Sequence, residues 1–99
     1  MIDLHGKHAV VTGGGSGIGK GISEVLARVG ASVFVADIEL ASAELTIQTL
    51  AGDGEFLCDI VDVTETSSVN RMIENAIKAF GKIDILVNNA GIIGTGKWW

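Results

Sequence analysis

Thr12-Gly13-Gly14-Gly15-Ser16-Gly17-Ile18-Gly19 is the stretch whose reading decides the fold. An apolar run, residues 8–12, leads straight into it, and a segment with helical spacing follows. Ile18, Ile22, Val25, Leu26 and Val29 recur at the intervals of one helix face. A strand, a glycine turn and a helix in that order present bare backbone N–H groups at the positive end of a helix dipole. A diphosphate fits such a turn. Glycine allows the tight bend, admits the anion close to the backbone, and lets helix and strand pack together. An ordinary strand-to-helix turn is the alternative, and the flanking chain has to discriminate.

Outward from the turn, two periods alternate. Short apolar runs recur at 8–12, 33–37, 56–63 and 84–88. Between them lie helical segments at 17–29, 39–51 and 66–80. Leu40, Ala43, Ile47 and Leu50 mark a weak stripe in the second; Val69, Met72, Ile73, Ala76, Ile77 and Phe80 mark a strong one in the third. Each stripe is expected to lie on a sheet. Gly30 and Gly81 stand where helices should end, and Thr64 or Thr66 should cap the third. Strands alternating with helices make an α/β fold, a Rossmann-like doubly wound parallel sheet with right-handed crossovers. The expected strand order is 3-2-1-4, with the first two helices on one face and the third on the other. The fourth strand then has an open edge. Residues 1–99 read as a single, partial dinucleotide-binding domain.

Composition agrees and excludes much else. The chain has 99 residues, 47% of them hydrophobic, no proline and a net charge of −5. That fits one modest core and rules out collagen, disorder and a disulfide scaffold. Twelve acids against seven bases leave no basic stripe for nucleic acid. No apolar run is long enough for a membrane span, and no signal peptide is evident, so a cytoplasmic location is expected. Cys58 sits among Phe56, Leu57 and Ile60 and reads as a buried strand thiol. His5 and His8 enter a strand, where their odd spacing puts them on opposite faces and argues against a metal site.

Asp37 ends the second apolar run. A carboxylate there accepts both hydroxyls of an adenosine ribose. It could instead cap the helix that follows, and the two roles are compatible. The same carboxylate would repel a 2′-phosphate. Ile38 follows it, residues 13–19 hold no Lys or Arg, and Lys20 is expected to face solvent. The cofactor expected is therefore NAD rather than NADP.

With these residues in place, the chain resembles the short-chain dehydrogenase/reductase family. Thr12-Gly13-x-x-x-Gly17-x-Gly19 is similar to its TGxxxGxG turn, Asp62-Val63 to its Asp-Val pair, and Asn88-Asn89-Ala90-Gly91 to its NNAG motif. The match covers residues 5–93. The resemblance implies that Gly13, Ser16, Gly17, Ile18 and Gly19 surround the diphosphate and its neighbouring ribose. Asp37 and Ile38 would flank the adenosine ribose, and Asp62 and Val63 would bracket the adenine. Asn89, Ala90 and Gly91 would line the cofactor channel, while Thr12 and Asn88 would be structural. Asp62 as a helix cap, and Asn89-Ala90-Gly91 as a plain strand-ending turn, stay open. The family's catalysis uses a Tyr, a Lys four residues on, a Ser and an Asn in the second half of its domain. This chain contains no tyrosine, so no residue takes the catalytic role.

The function expected is that of an NAD(H)-dependent oxidoreductase of an alcohol/carbonyl pair, represented by its cofactor-binding half. A non-catalytic dinucleotide-binding module or an inactive remnant is the alternative. NAD(H) is the expected partner, with an alcohol or carbonyl substrate only in a longer form. Oligomerisation through the family's interface helices is not carried over, because they would lie in the missing half. Trp98 and Trp99 would pack on bare sheet or form a stub.

Overall fold

The computed structural model describes residues 2–89. Seven elements follow one another: β1 (His8–Thr12), α1 (Gly17–Arg28), β2 (Ser32–Asp37), α2 (Leu40–Thr49), β3 (Phe56–Ile60), α3 (Thr66–Phe80) and β4 (Ile85–Asn88). The strands form one parallel sheet in the order β3-β2-β1-β4. Register is tight at the centre, where Val10 of β1 pairs with Phe34 of β2 and Leu86 of β4. β3 ends at Ile60, earlier than the apolar run suggests, although the Val61 N–H still donates to the Asp37 carbonyl at 2.9 Å. β3 and β4 are the edge strands among the described residues. Trp98 and Trp99 lie outside them.

Successive side chains of each strand point to opposite faces, and the core divides accordingly. Val10, Phe34 and Ala36 pack with Val69, Met72 and Ala76 of α3, joined at the margin by Leu86 and Phe80. Val11, Val33 and Val35 pack with Ala27 of α1 and Ala43 of α2 on the other side. The central strands β1 and β2 are buried almost throughout, so their runs are apolar without alternation. Cys58 of β3 is half-buried rather than buried, and burial, then Glu44 and Asp59, push its thiol above the usual range. That leaves little thiolate for reaction.

α3 bears out its stripe: Val69, Met72 and Ala76 are its buried residues. It ends at Gly81, whose φ of +85° suits glycine. Its N-cap is Glu65, not Thr64 or Thr66, and no side chain caps it. The Thr64 hydroxyl is turned to the Asp62 carboxylate instead, at 2.6 Å. α2 buries Ala43 and Thr46 and leaves Leu40 exposed.

α1 overturns its stripe. Its buried residues are Gly19, Ser23 and Ala27, while Ile18 is 73% and Val25 54% exposed. The reason is distance. A Cβ at Gly19 would lie 2.1 Å from the Gly13 carbonyl oxygen, so the underside of α1 takes small side chains, and the Ser23 hydroxyl satisfies itself on the Gly19 carbonyl at 2.9 Å. The apolar stripe is displaced to one flank, where Ile22 and Leu26 reach the rim of the core. The opposite flank faces α2, through Glu24 and the Thr49 hydroxyl at 3.2 Å.

The segment before β1 is tied to the loop before β3. His5 Nδ1 lies 2.5 Å from Asp3 Oδ1, and Nε2 lies 3.2 Å from Asp53 Oδ2. Neutral imidazole has a single N–H, so both carboxylates are served only by the imidazolium. The Asp3 and then the Asp53 hydrogen bonds accordingly raise the His5 pKa above its ordinary 6.5. A raised folded-state pKa contributes stability that is complete below the unfolded value and lost as pH rises through the folded one. The melting temperature should therefore decline slightly as pH rises from about 6 to about 8. His5→Gln should remove that part of the slope; identical slopes in both proteins would refute the tie.

Candidate functional site

The carboxyl ends of the four strands meet at a cleft of about 450 Å³. Gly13 and Ser16 come to it from the glycine turn, Asp37 and Ile38 from the end of β2, Asp62 and Val63 from the end of β3, and Asn89 from the end of β4. Open parallel sheets place ligands there, where strand order reverses between β1 and β4. Val61 and Thr64 also line it. Sequence reading missed both, although they flank the Asp62-Val63 pair. Gly17, Ile18 and Gly19 form the first turn of α1 and contribute nothing to the cleft wall. Ala90 and Gly91 lie outside the described residues.

The turn is shaped by its glycines. Gly13 and Gly17 have φ of +66° and +58°, a region that other residues avoid. Ser16 is the N-cap of α1, yet its side chain makes no cap hydrogen bond, and no acid stands in the first turn. The positive end of α1 is thus left uncompensated by a carboxylate of its own. Lys20 is half-buried rather than turned fully to solvent, and it does not line the cleft.

Thr12 and Asn89 lash the turn to β4. The Thr12 hydroxyl lies 3.1 Å from Asn88 Oδ1 and receives the Asn89 N–H at 3.2 Å. Asn89 Nδ2 donates to the Gly13 carbonyl at 3.4 Å. Asn89 therefore supports the glycine turn as well as bordering the cleft, and Thr12 ties the end of β1 to Asn88 at the end of β4.

Asp37 is held by backbone on both oxygens. Oδ2 accepts the Gly15 N–H and Oδ1 the Glu39 N–H, each at 3.0 Å. The second bond orders the approach to α2, whose N-cap is Glu39 itself. Asp62 is fixed in a similar way. Its Oδ1 takes the Thr64 hydroxyl and N–H, which hold its carboxyl below the usual range. Its own N–H donates to Ser68 of α3 at 2.9 Å. Asp62 thus organises the loop before α3 without capping the helix by its carboxylate. Among the described residues, no group of His, Cys, Asp and Glu could hold a metal ion, and no helix is long and apolar enough to cross a membrane.

The profile of the short chain dehydrogenases matches residues 7–98. The chain belongs to the short-chain dehydrogenase family. It is 45% identical over 91 residues to the 7alpha-hydroxysteroid dehydrogenase of Escherichia coli K12, covering 89% of this chain and 35% of that one. To the 3beta-hydroxysteroid dehydrogenase 2 of Eggerthella lenta it is 43% identical, covering 91% and 35%. Among solved structures, 3-ketoacyl-(acyl-carrier-protein) reductase from Brucella melitensis, complexed with NADH, superposes with a TM-score of 0.83 at 42% identity, over 91% of this chain and 36% of that one. This short-chain dehydrogenase chain spans about a third of the length of the curated relatives it matches. Its four-stranded order is the partial Rossmann-like sheet expected from the sequence.

Proposed function

We propose that this chain is the NAD(H)-binding portion of a short-chain dehydrogenase that interconverts an alcohol and a carbonyl. The observation that carries the reading is convergence. The glycine turn, Asp37, the Asp62-Val63 pair and Asn89 come from separate stretches of sequence and line one cleft. The residues suit the group. Gly13, Gly14 and Gly15 leave their stretch of the turn without side chains, α1 offers an uncompensated positive end, and Asp37 offers paired acceptors. The NADH held by the Brucella melitensis reductase supports the same assignment.

In this reading Gly13, Ser16, Gly17, Ile18 and Gly19 receive the diphosphate. Asp37 accepts the adenosine ribose hydroxyls beside Ile38, Asp62 and Val63 border the adenine, and Asn89, Ala90 and Gly91 line the channel beyond. Each oxygen of Asp37 already accepts one N–H and keeps capacity for a hydroxyl. Its charge opposes a 2′-phosphate, which favours NAD(H) over NADP(H). The bound nicotinamide would supply or accept the hydride. No tyrosine is present to relay the proton, so the chain alone is proposed to bind without turnover.

Titrating the whole chain with NADH by calorimetry, alongside a thermal melt, tests this. Saturable binding should appear, with about 2.7 kcal/mol of added stability at a hundredfold excess over Kd. Absent heat and an unmoved melt would remove the binding role. Oxidation of NADH on adding carbonyl compounds would contradict the lack of turnover.

A further inference from the structure

We propose that Gly15 is a positioning residue for cofactor choice. It holds the Asp37 carboxylate in place, so that the preference for NAD(H) over NADP(H) depends on Gly15 as it does on Asp37. The proposal rests on the reading of Asp37 given above.

Gly15 occupies one of the unspecified positions of the TGxxxGxG turn, so the motif assigns it nothing. Its backbone does not call for glycine either. Gly13 and Gly17 have positive φ, and Gly15 does not. The reason for glycine here is space. A Cβ at residue 15 would lie 2.6 Å from Ser42 Cβ, 2.8 Å from Asp37 Oδ2 and 3.0 Å from the Ser42 carbonyl carbon. The first two distances are shorter than real Cβ contacts, and the third is tight enough that its neighbour must give. Ser42 belongs to α2, and its main chain is anchored by N–H donation to the Glu39 carbonyl at 3.0 Å. The Asp37 carboxylate is the far end of a side chain and moves at lower cost than the Ser42 main chain, from which the turn itself would have to draw back. A methyl group at residue 15 would therefore evict Asp37 Oδ2 and break its 3.0 Å bond to the Gly15 N–H.

The consequence reaches the cleft, because Asp37 lines it and Gly15 does not. The turn and the carboxylate are one unit: the turn supplies the N–H that aims the carboxylate, and the carboxylate supplies the charge that discriminates. A substitution that leaves every charge in place should then alter discrimination between two ligands that differ by one phosphate.

The test measures Kd for NADH and NADPH with the wild type, Gly15→Ala, Asp37→Ala and the double variant, with a melt of each. The wild type should prefer NADH. Gly15→Ala and Asp37→Ala should each reduce the preference by roughly ten- to a hundredfold, and the double variant should lose no more than Asp37→Ala alone. If Asp37→Ala abolishes the preference while Gly15→Ala keeps it, the positioning role is wrong and the reading of Asp37 stands. If the wild type or Asp37→Ala shows no effect of the carboxylate, both fall together. A second measurement does not depend on the folding of Gly15→Ala. The Gly15 amide should exchange with solvent more slowly in the wild type than in Asp37→Ala, because the carboxylate accepts its N–H. A Gly15 amide that exchanges at the same rate in both proteins overturns the proposal.

Discussion

Gly19→Ala should damage fold and binding together. A Cβ there would stand 2.1 Å from the Gly13 carbonyl oxygen and 2.8 Å from both Asn89 Nδ2 and the Gly13 carbonyl carbon. Two of those atoms are backbone, in a turn already committed to a φ of +66°, so no rotamer change relieves the clash. The helix has to lift from the sheet. That loosens Ser23 and Ala27, the other buried residues of α1, and pulls the turn from Asn89. Overpacking of this kind costs about 1–3 kcal/mol or more, against a total of roughly 5–15 kcal/mol for a native domain. A fall in melting temperature of several degrees, about 4–8 °C for each kcal/mol lost, should accompany at least a tenfold loss of NADH affinity. Gly21→Ala is the control, because a Cβ there meets nothing within 4 Å. It should be neutral, or stabilising by up to about 1 kcal/mol through helix propensity. Equal melts for Gly19→Ala and wild type would show that α1 does not depend on this contact.

Asp37→Ala should separate affinity from stability. The carboxylate accepts the Gly15 and Glu39 N–H groups at a partly open position, where water can replace it. The fold should lose about 1 kcal/mol or less. The ligand should lose more, because a hydrogen bond from a ribose hydroxyl to a charged acceptor is worth about 1.5–3 kcal/mol. NADH affinity is expected to fall by roughly ten- to a hundredfold, while NADPH affinity holds or improves once the like charge is gone. Part of the change is Coulombic, so the gap between the two cofactors should narrow with added salt in the wild type and not in the variant. Comparable losses for both cofactors would mean that Asp37 supports the turn without reading the ribose.

Several residues show why some features were legible beforehand and others were not. Val69, Met72 and Ala76 mark the buried face of α3 because that helix packs through large side chains, and period alone finds such a face. Period misleads for α1, since the face toward the sheet is chosen by how near the backbones come, and nearness selects Gly19, Ser23 and Ala27. Thr64 reads as a cap, yet its hydroxyl has a closer claimant in Asp62. Asp37 is legible as a carboxylate ending a strand. Its bond to Gly15 spans 22 residues, and no local pattern announces it. The same holds for His5 and Asp53, which are 48 residues apart.

The sequence alone determined the order of elements, the parallel sheet in the order 3-2-1-4, and the glycine, Asp-Val and Asn-Asn segments that gather at one end of it. Element order and parallel pairing follow from side-chain period, glycine conformation and crossover handedness, and the strand order from the doubly wound topology that this pattern matches. Only the tertiary structure decided which side of α1 meets the sheet, that Val61 and Thr64 join the cleft, that Asn89 braces the turn, and that Gly15 and Asp37 act on each other. Those are matters of distance between segments remote in the chain, and a difference of one methyl group settles them.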